Sequence, residues 1–293
     1  MWYEAGVRLA FLFVALLASL PTTARAAAPP CPSKDELLDR AGRYVAGIEQ
    51  ELAVLVGDEA YSQYSYWGTS PMHRTKRVLA SDVAWVPTGD AMVWAFYRDV
   101  RSVDGKEVRD RSARLEALFP EGQTPAANAR AMQILDESSR YNLGQQRTVN
   151  SPTLALTLLH PRNRKRSSFE VSGGGRKEGV QACKLLYEER KRPTLISNPD
   201  GEDVPARGTF WIEPGSGAVV ASSLELETPG HDPVLIETSF RHEAALACWL
   251  PAEMRETYGS RAPRSRGERI EAVARYSAWR RAHVEIEVII PKR

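Results

Sequence analysis

A chain of 293 residues that is 43% hydrophobic and 26% charged has ample apolar material for one large domain or two small ones, and too much for a disordered polymer. Its 39 basic and 37 acidic side chains leave a formal charge of +2. That balance gives no electrostatic reason to expect a nucleic-acid partner.

Residues 1–26 read as a secretory signal peptide. A weakly basic start at Arg8 precedes the apolar run Leu9 to Leu20, which is too short to span a bilayer of ~30 Å comfortably. Pro21 breaks the run, and Ala24-Arg25-Ala26 fits the small-residue pattern read by signal peptidase. Cleavage removes Arg8, Arg25 and Glu4, leaving 37 basic and 36 acidic residues in a single domain over 27–293. The expected location is therefore periplasmic or secreted. Pro30 immediately before Cys31 argues against lipid attachment at that cysteine, because a small residue is wanted there.

Ser33-Lys34-Asp35-Glu36 is a capping box, and Leu37, Leu38, Ala41, Val45, Ile48, Leu52 and Leu55 then recur at helical steps, predicting an amphipathic helix as far as Val56. From Tyr61 the period changes to two, through Tyr64, Tyr66 and Trp67, then Val78–Val86 and Ala91–Val103. Asp104-Gly105 supplies a hairpin turn, since both central positions of a primed turn need positive φ. Helices are predicted over Arg111–Phe119, Thr124–Tyr141 and Pro152–Leu159, a helical insertion at about 111–159. Strands return at Ser168–Ser172, Gly179–Tyr187, Thr209–Glu213, Ala218–Leu226, Val234–Phe240, Ala244–Leu250, Ile270–Trp279 and Val284–Ile290. Between them lie the turn signals Asn198-Pro199-Asp200-Gly201, Pro214-Gly215-Ser216-Gly217 and Pro229-Gly230. The absence of a long helical segment between successive strands predicts a mainly antiparallel sheet in an α+β domain.

Within Ala91–Tyr97, Met92, Trp94 and Phe96 project to one face and Val93, Ala95 and Tyr97 to the other, so neither face suits water. One cover is the capped helix. The other is more protein or a cavity that holds something apolar. Trp85, Trp94, Phe96 and Trp211 are the candidate lining of that cavity, through apolar contact alone.

Three cysteines survive export, and an oxidising compartment allows one bridge in any of three pairings. Cys183–Cys248 is the favoured pairing because both residues lie in strand-like stretches; the alternative is three unpaired thiols. No C-x-x-C occurs, and His73, His160, His231, His242 and His283 are scattered, so neither a metal nor another cofactor is called for. Gly215-Ser216-Gly217 lacks the spacing of a nucleophile elbow, and Gly173-Gly174-Gly175 reads as a flexible connection. No catalytic residues are assigned, and the expectation is a protein that is not an enzyme. The clusters Arg162–Arg166, Glu188–Arg192 and Arg261–Arg269 are either solvated loop charges or a patch for an anionic membrane surface.

The signal peptide, the capped helix, the aromatic strand with its Val103-Asp104-Gly105-Lys106 hairpin, the stretches Phe210–Gly217 and Leu250–Tyr258, and the closing Arg275–Arg281 strand together resemble exported bacterial proteins of the periplasmic lipoprotein-carrier (outer-membrane lipoprotein-sorting) superfamily. The resemblance implies a strongly curved antiparallel half-barrel closed by the N-terminal helix and the helical insertion. It also implies a non-enzymatic role in binding a lipid or acyl chain. An envelope interaction or sensing module without a small ligand is the competing expectation.

Overall fold

The computed structural model describes residues 31–68, 73–87, 94–113, 127–144, 147, 149–198, 200–227, 232–259 and 268–282. The signal peptide, residues 124–126 of the expected Thr124–Tyr141 helix, the Pro229-Gly230 turn, residues 261–267 of the Arg261–Arg269 cluster and the Val284–Ile290 strand lie outside those residues. Of the helix expected over Arg111–Phe119, the first three residues are described and are helical.

Ser33 opens α1, Lys34–Leu52, its hydroxyl accepting from the Glu36 amide at 3.3 Å. The buried face is Leu37, Ala41, Gly42, Val45, Ile48 and Leu52, the stripe expected from the spacing. The helix stops short of Val56 because Leu55 already belongs to β1, Leu55–Trp67. Its apolar side chain continues the core from a strand, a change that spacing alone does not reveal.

The remaining strands are β2 His73–Pro87, β3 Trp94–Val103, β4 Lys106–Glu107, β5 Ser167–Lys177, β6 Val180–Glu189, β7 Ala206–Ile212, β8 Val219–Leu226, β9 Val234–Glu243, β10 Cys248–Tyr258 and β11 Arg269–Arg281. With β1, and among the described residues, they form one open, curved, eleven-stranded sheet in the order β4-β3-β2-β1-β11-β10-β9-β8-β7-β6-β5. Every neighbouring pair is antiparallel. The sequence expectation of a mainly antiparallel sheet holds. The stretch read as a strand over Ala244–Leu250 is instead a turn at 244–247 followed by β10, with Ala247 at φ +53°.

A single core joins the inner face of this sheet to α1 and to the 3-10 turn Leu154–Leu158. A second helix, α2 Ala127–Ser139, covers the outer face of β3, where Ile134 packs with Ala95 and Tyr97. The aromatic strand thus lies between two protein layers. α2 also blunts the free edge of β3: the Ser138 hydroxyl accepts from the Arg98 amide at 3.0 Å and approaches the Phe96 carbonyl at 3.2 Å. An exposed row of such groups would invite pairing with another chain.

Gly173–Gly175 is not the expected connection but part of edge strand β5, where the register shifts between Val171 and Gly174. A Cβ on Gly174 would stand 2.9 Å from the Cys31 sulfur. Glycine there makes room for a disulfide between Cys31 and Cys183, whose Cα atoms are 5.7 Å apart. The favoured Cys183–Cys248 pairing is therefore corrected, and Cys248 is a buried free thiol. Cys183 lies on β6 and Cys248 on β10, with three strands between. Four strand spacings of ~4.8 Å along a sheet exceed the reach of a disulfide.

The β7–β8 hairpin docks on α1. Arg40 donates to the Pro214 carbonyl at 2.5 Å, and Gly217, at φ +79°, lies so close to the Arg40 backbone that a Cβ would come within 2.4 Å. Glu213 organises the turn by accepting from the Gly215 amide at 2.9 Å, the Ser216 amide at 2.6 Å and the Ser216 hydroxyl at 2.7 Å. Burial opposes its charge, but these donors and the Arg40 cation outweigh burial and hold the carboxyl below its ordinary range. A carboxyl depressed on folding stabilises fully above its unfolded pKa of about 4.3, and that contribution is lost as pH falls through the lower folded value. Glu213→Gln is therefore expected to lower the melting temperature at neutral pH, by a margin that shrinks once the pH is taken below about 4. Melting curves across pH check this, and a margin that grew with acid would contradict it.

The interior of the sheet as a candidate ligand site

Two of the four proposed lining residues meet inside the sheet. Trp85 on β2 is the cross-strand partner of Phe96 on β3, and their rings lie 5.3 Å apart. The other face of Trp85 stacks on Trp279 at 5.5 Å, and its indole nitrogen donates to the Thr153 hydroxyl at 2.8 Å. Trp279 reaches this position through an irregularity in β11. Val56 faces Arg280 and Asp58 faces Ser277, so Ala278 and Trp279 together oppose Gly57. Ala278 takes φ +53°, as expected of a bulge that re-aims a side chain. The indole then lies over Gly57, where a Cβ would come within 2.5 Å of it.

Trp85 and Phe96 are each 3% exposed, so they are members of the core and face other side chains. Among the described residues, no open space borders these two rings. Among the described residues the inner face holds a narrow seam between α1 and the sheet. Tyr44, Ile48 and Leu52 from α1, Thr153 and Leu156 beside it, and Val219, Phe240, Trp249 and Pro251 from the sheet side enclose about 220 Å³ of space too narrow for a water molecule. Burial pushes the Tyr44 phenol up, and its hydroxyl donates to the Trp249 carbonyl at 3.3 Å.

Beside this apolar half lies a charged one. Glu59 on β1 and Arg98 on β3 form a two-pronged ion pair with both side chains at 0% exposure. The guanidinium sits 4.6 Å from the Tyr61 ring centre and 5.4 Å from that of Phe96. Burial works against the Arg98 charge, and the Glu59 carboxylate more than restores it. Next to them, Arg147 donates to Gln63 at 2.5 Å and to the Tyr61 hydroxyl at 3.2 Å, and lies 3.9 Å from Glu256. Tyr258 donates to Glu256 at 2.8 Å. Burial first, and the neighbouring carboxylates second, hold the Tyr61, Tyr258 and Tyr276 phenols above their usual range. Two cations and two carboxylates cancel, so the cluster knits β1, β3 and β10 to the 141–150 segment and carries no net charge.

These groups were not legible as a cluster. Along β1, Glu59, Tyr61, Gln63 and Ser65 face inward while Asp58, Ala60, Ser62 and Tyr64 take the other face. Polarity on both faces removes the period-two signal that would mark a side as buried.

Trp211 is placed elsewhere. Phe210 and Ile212 are fully buried, so the residue between them must face outward. It lines a hollow of about 530 Å³ on the opposite face of the sheet, with Lys184, Thr209, Ser223, Glu237 and Arg255. The Lys184 ammonium stands 6.0 Å from the indole centre. Trp211 therefore does not join Trp85 and Phe96, a correction that its two apolar neighbours already signalled. The backbone of Trp94 pairs with Pro87, and its side chain lies outside the described residues.

The chain is similar to a DUF1329 family protein from Desulfovibrio piger, with 10% identity, a TM-score of 0.37, and coverage of 87% of this chain and 95% of that one. It is likewise similar to a putative outer membrane lipoprotein-sorting protein domain from Vibrio parahaemolyticus, at 9% identity, TM-score 0.37, and 84% and 94% coverage. A LolA superfamily protein from Nitrosomonas europaea matches at 8% identity, TM-score 0.37, and 89% and 98% coverage. The likeness transfers no residue role. No protein-family model and no curated protein matches the chain.

Among the described residues no group of His, Cys, Asp or Glu side chains is arranged to hold a metal ion. His160 contacts Glu49 at 3.3 Å, which ties the Leu154–Leu158 region to α1.

Proposed function

We propose that this chain is an exported, non-catalytic envelope protein that takes a hydrophobic, lipid-like ligand between α1 and the concave face of the sheet. The observation that carries the reading is the seam beneath α1. Its walls are almost wholly apolar, it is dry, and it runs from the helix to the middle strands. Helix and sheet here meet across a surface with few polar bonds, so separating them exposes apolar area that an acyl chain would cover again. The interior charges are committed to one another rather than to a reacting group, which supports a binder over a catalyst. The Cys31–Cys183 bridge supports export, since such bonds persist in oxidising compartments.

The test is organic extraction of the purified mature protein followed by mass spectrometry, together with titration of a fluorescent fatty-acyl probe. A co-purifying lipid or saturable probe uptake is expected, and Ile48→Trp, which fills the seam, should weaken uptake at least tenfold while the protein stays folded. A folded protein with neither bound lipid nor saturable uptake would remove the reading.

A further inference from the structure

The antiparallel order brings the start of β5, the end of β6, the start of β11, the end of β1 and the start of β2 to one end of the sheet. Two basic clusters that are distant in sequence meet there, the Arg190 amide donating to the Arg166 carbonyl at 2.7 Å. Four of their arginines are neutralised locally. Arg164 pairs with Asp39 at 2.5 Å, Arg166 with Glu189 at 3.2 Å, Arg190 with Glu188 at 2.5 Å and Arg192 with Asp203 at 3.2 Å.

The β1–β2 hairpin differs. Tyr64 faces Lys76, Tyr66 faces Arg74 and Trp67 faces His73 across the ladder. Arg74 and Lys76 lie 5.5 and 5.8 Å from the same Tyr64 ring, and neither has a carboxylate partner among the described residues. Trp67 is 42% exposed, and its ring stacks on His73 at 5.7 Å. Arg269 on β11 lies 4.9 Å from the Tyr66 ring and shares its charge with Glu271 at 3.3 Å.

We propose that this hairpin end, through Tyr64, Tyr66, Trp67, His73, Arg74 and Lys76, docks on an anionic phospholipid bilayer. Unneutralised exposed cations are attracted to anionic headgroups, each strengthening binding about fivefold. Tyrosine and tryptophan settle at headgroup depth because their rings are apolar and their tips polar. By register Tyr64, Tyr66, Arg74 and Lys76 share one face of the hairpin, cations beside rings without burying a charge, while Trp67 and His73 project to the other face at its tip. The surface lies on the hairpin and is separate from the seam beneath α1. The proposal rests on the export half of the reading above and not on the internal ligand.

Co-sedimentation of the purified mature protein with phosphatidylcholine vesicles, with and without about one-third phosphatidylglycerol, tests it. Binding is expected to the mixed vesicles, not to the neutral ones, and to weaken as salt is raised. The double variant Arg74→Glu/Lys76→Glu should bind at least tenfold more weakly, and Trp67→Ala should also lose affinity. Arg190→Glu/Arg192→Glu, which changes the net charge equally at two cations already paired with Glu188 and Asp203, should leave binding within twofold of the wild type. Circular dichroism confirms that each variant folds, and acyl-probe uptake unchanged in Arg74→Glu/Lys76→Glu separates this surface from the interior. Failure to bind anionic vesicles, or equal losses in both double variants, would overturn the proposal.

Discussion

Glu59→Gln is expected to lower the free energy of unfolding by about 3–5 kcal/mol, a large fraction of a typical domain's stability. The Arg98 guanidinium would remain in a site with no exposure to water, facing an amide in place of a carboxylate. Arg98→Met should cost a similar amount by stranding the Glu59 carboxylate. The double variant Glu59→Leu/Arg98→Met should recover most of the loss, because removing both charges removes the desolvation penalty along with the attraction. The pair also has a structural reason to matter. Glu59 lies opposite Ser81 and Arg98 opposite Val83, so the bond passes over β2 and ties β1 directly to β3. Urea denaturation of the four proteins measures the cycle. A single-variant loss below about 1 kcal/mol would show that the pair is solvated, as exposed pairs are.

The second large effect concerns the bridge. Cys31 and Cys183 are 152 residues apart in sequence, and chain entropy puts the stabilisation from closing so long a loop at about 5 kcal/mol, with measured removals at about 2–5 kcal/mol. Cys31→Ser should therefore lower the melting temperature substantially, and reductant should do the same to the wild type while leaving the variant unchanged. Peptide mapping without reduction is expected to yield a Cys31–Cys183 cross-linked fragment with Cys248 alkylated once the protein is unfolded. A Cys183–Cys248 fragment would refute the assignment. The bridge fastens the chain just before α1 to β6, and α1 runs at its other end into β1. The helix is thus tied to both halves of the sheet, and cutting the bridge releases one end of the element that roofs the seam.

The same particulars divide what can be read in the residue order from what cannot. Ser33 and the apolar steps through Leu52 determine a capped, one-faced helix, because a cap and a 3.6-residue period act within the segment itself. Asp104-Gly105 determines its turn for an equally local reason, with φ of +50° and +77°. The alternation of apolar and polar residues, with no long helix between strands, determines an antiparallel sheet. Even the outward aim of Trp211 was present in Phe210 and Ile212.

Which strands are neighbours is another matter. The pairing of β1 with β11 joins residues more than two hundred positions apart, as Leu55 with Arg281, and no local preference encodes it. The correct disulfide follows from that pairing order, since it places β6 near the edge and β10 four strands inward. The buried charges depend on it too. Glu59, Arg98, Arg147 and Glu256 look like ordinary surface residues one at a time, and they are tolerable inside only where the fold brings opposite charges together. Residue order determined the elements and their greasy faces, because those arise from interactions a few positions apart. Tertiary structure decided whether the space between them is hollow or filled, because that depends on side chains from distant segments meeting in one place.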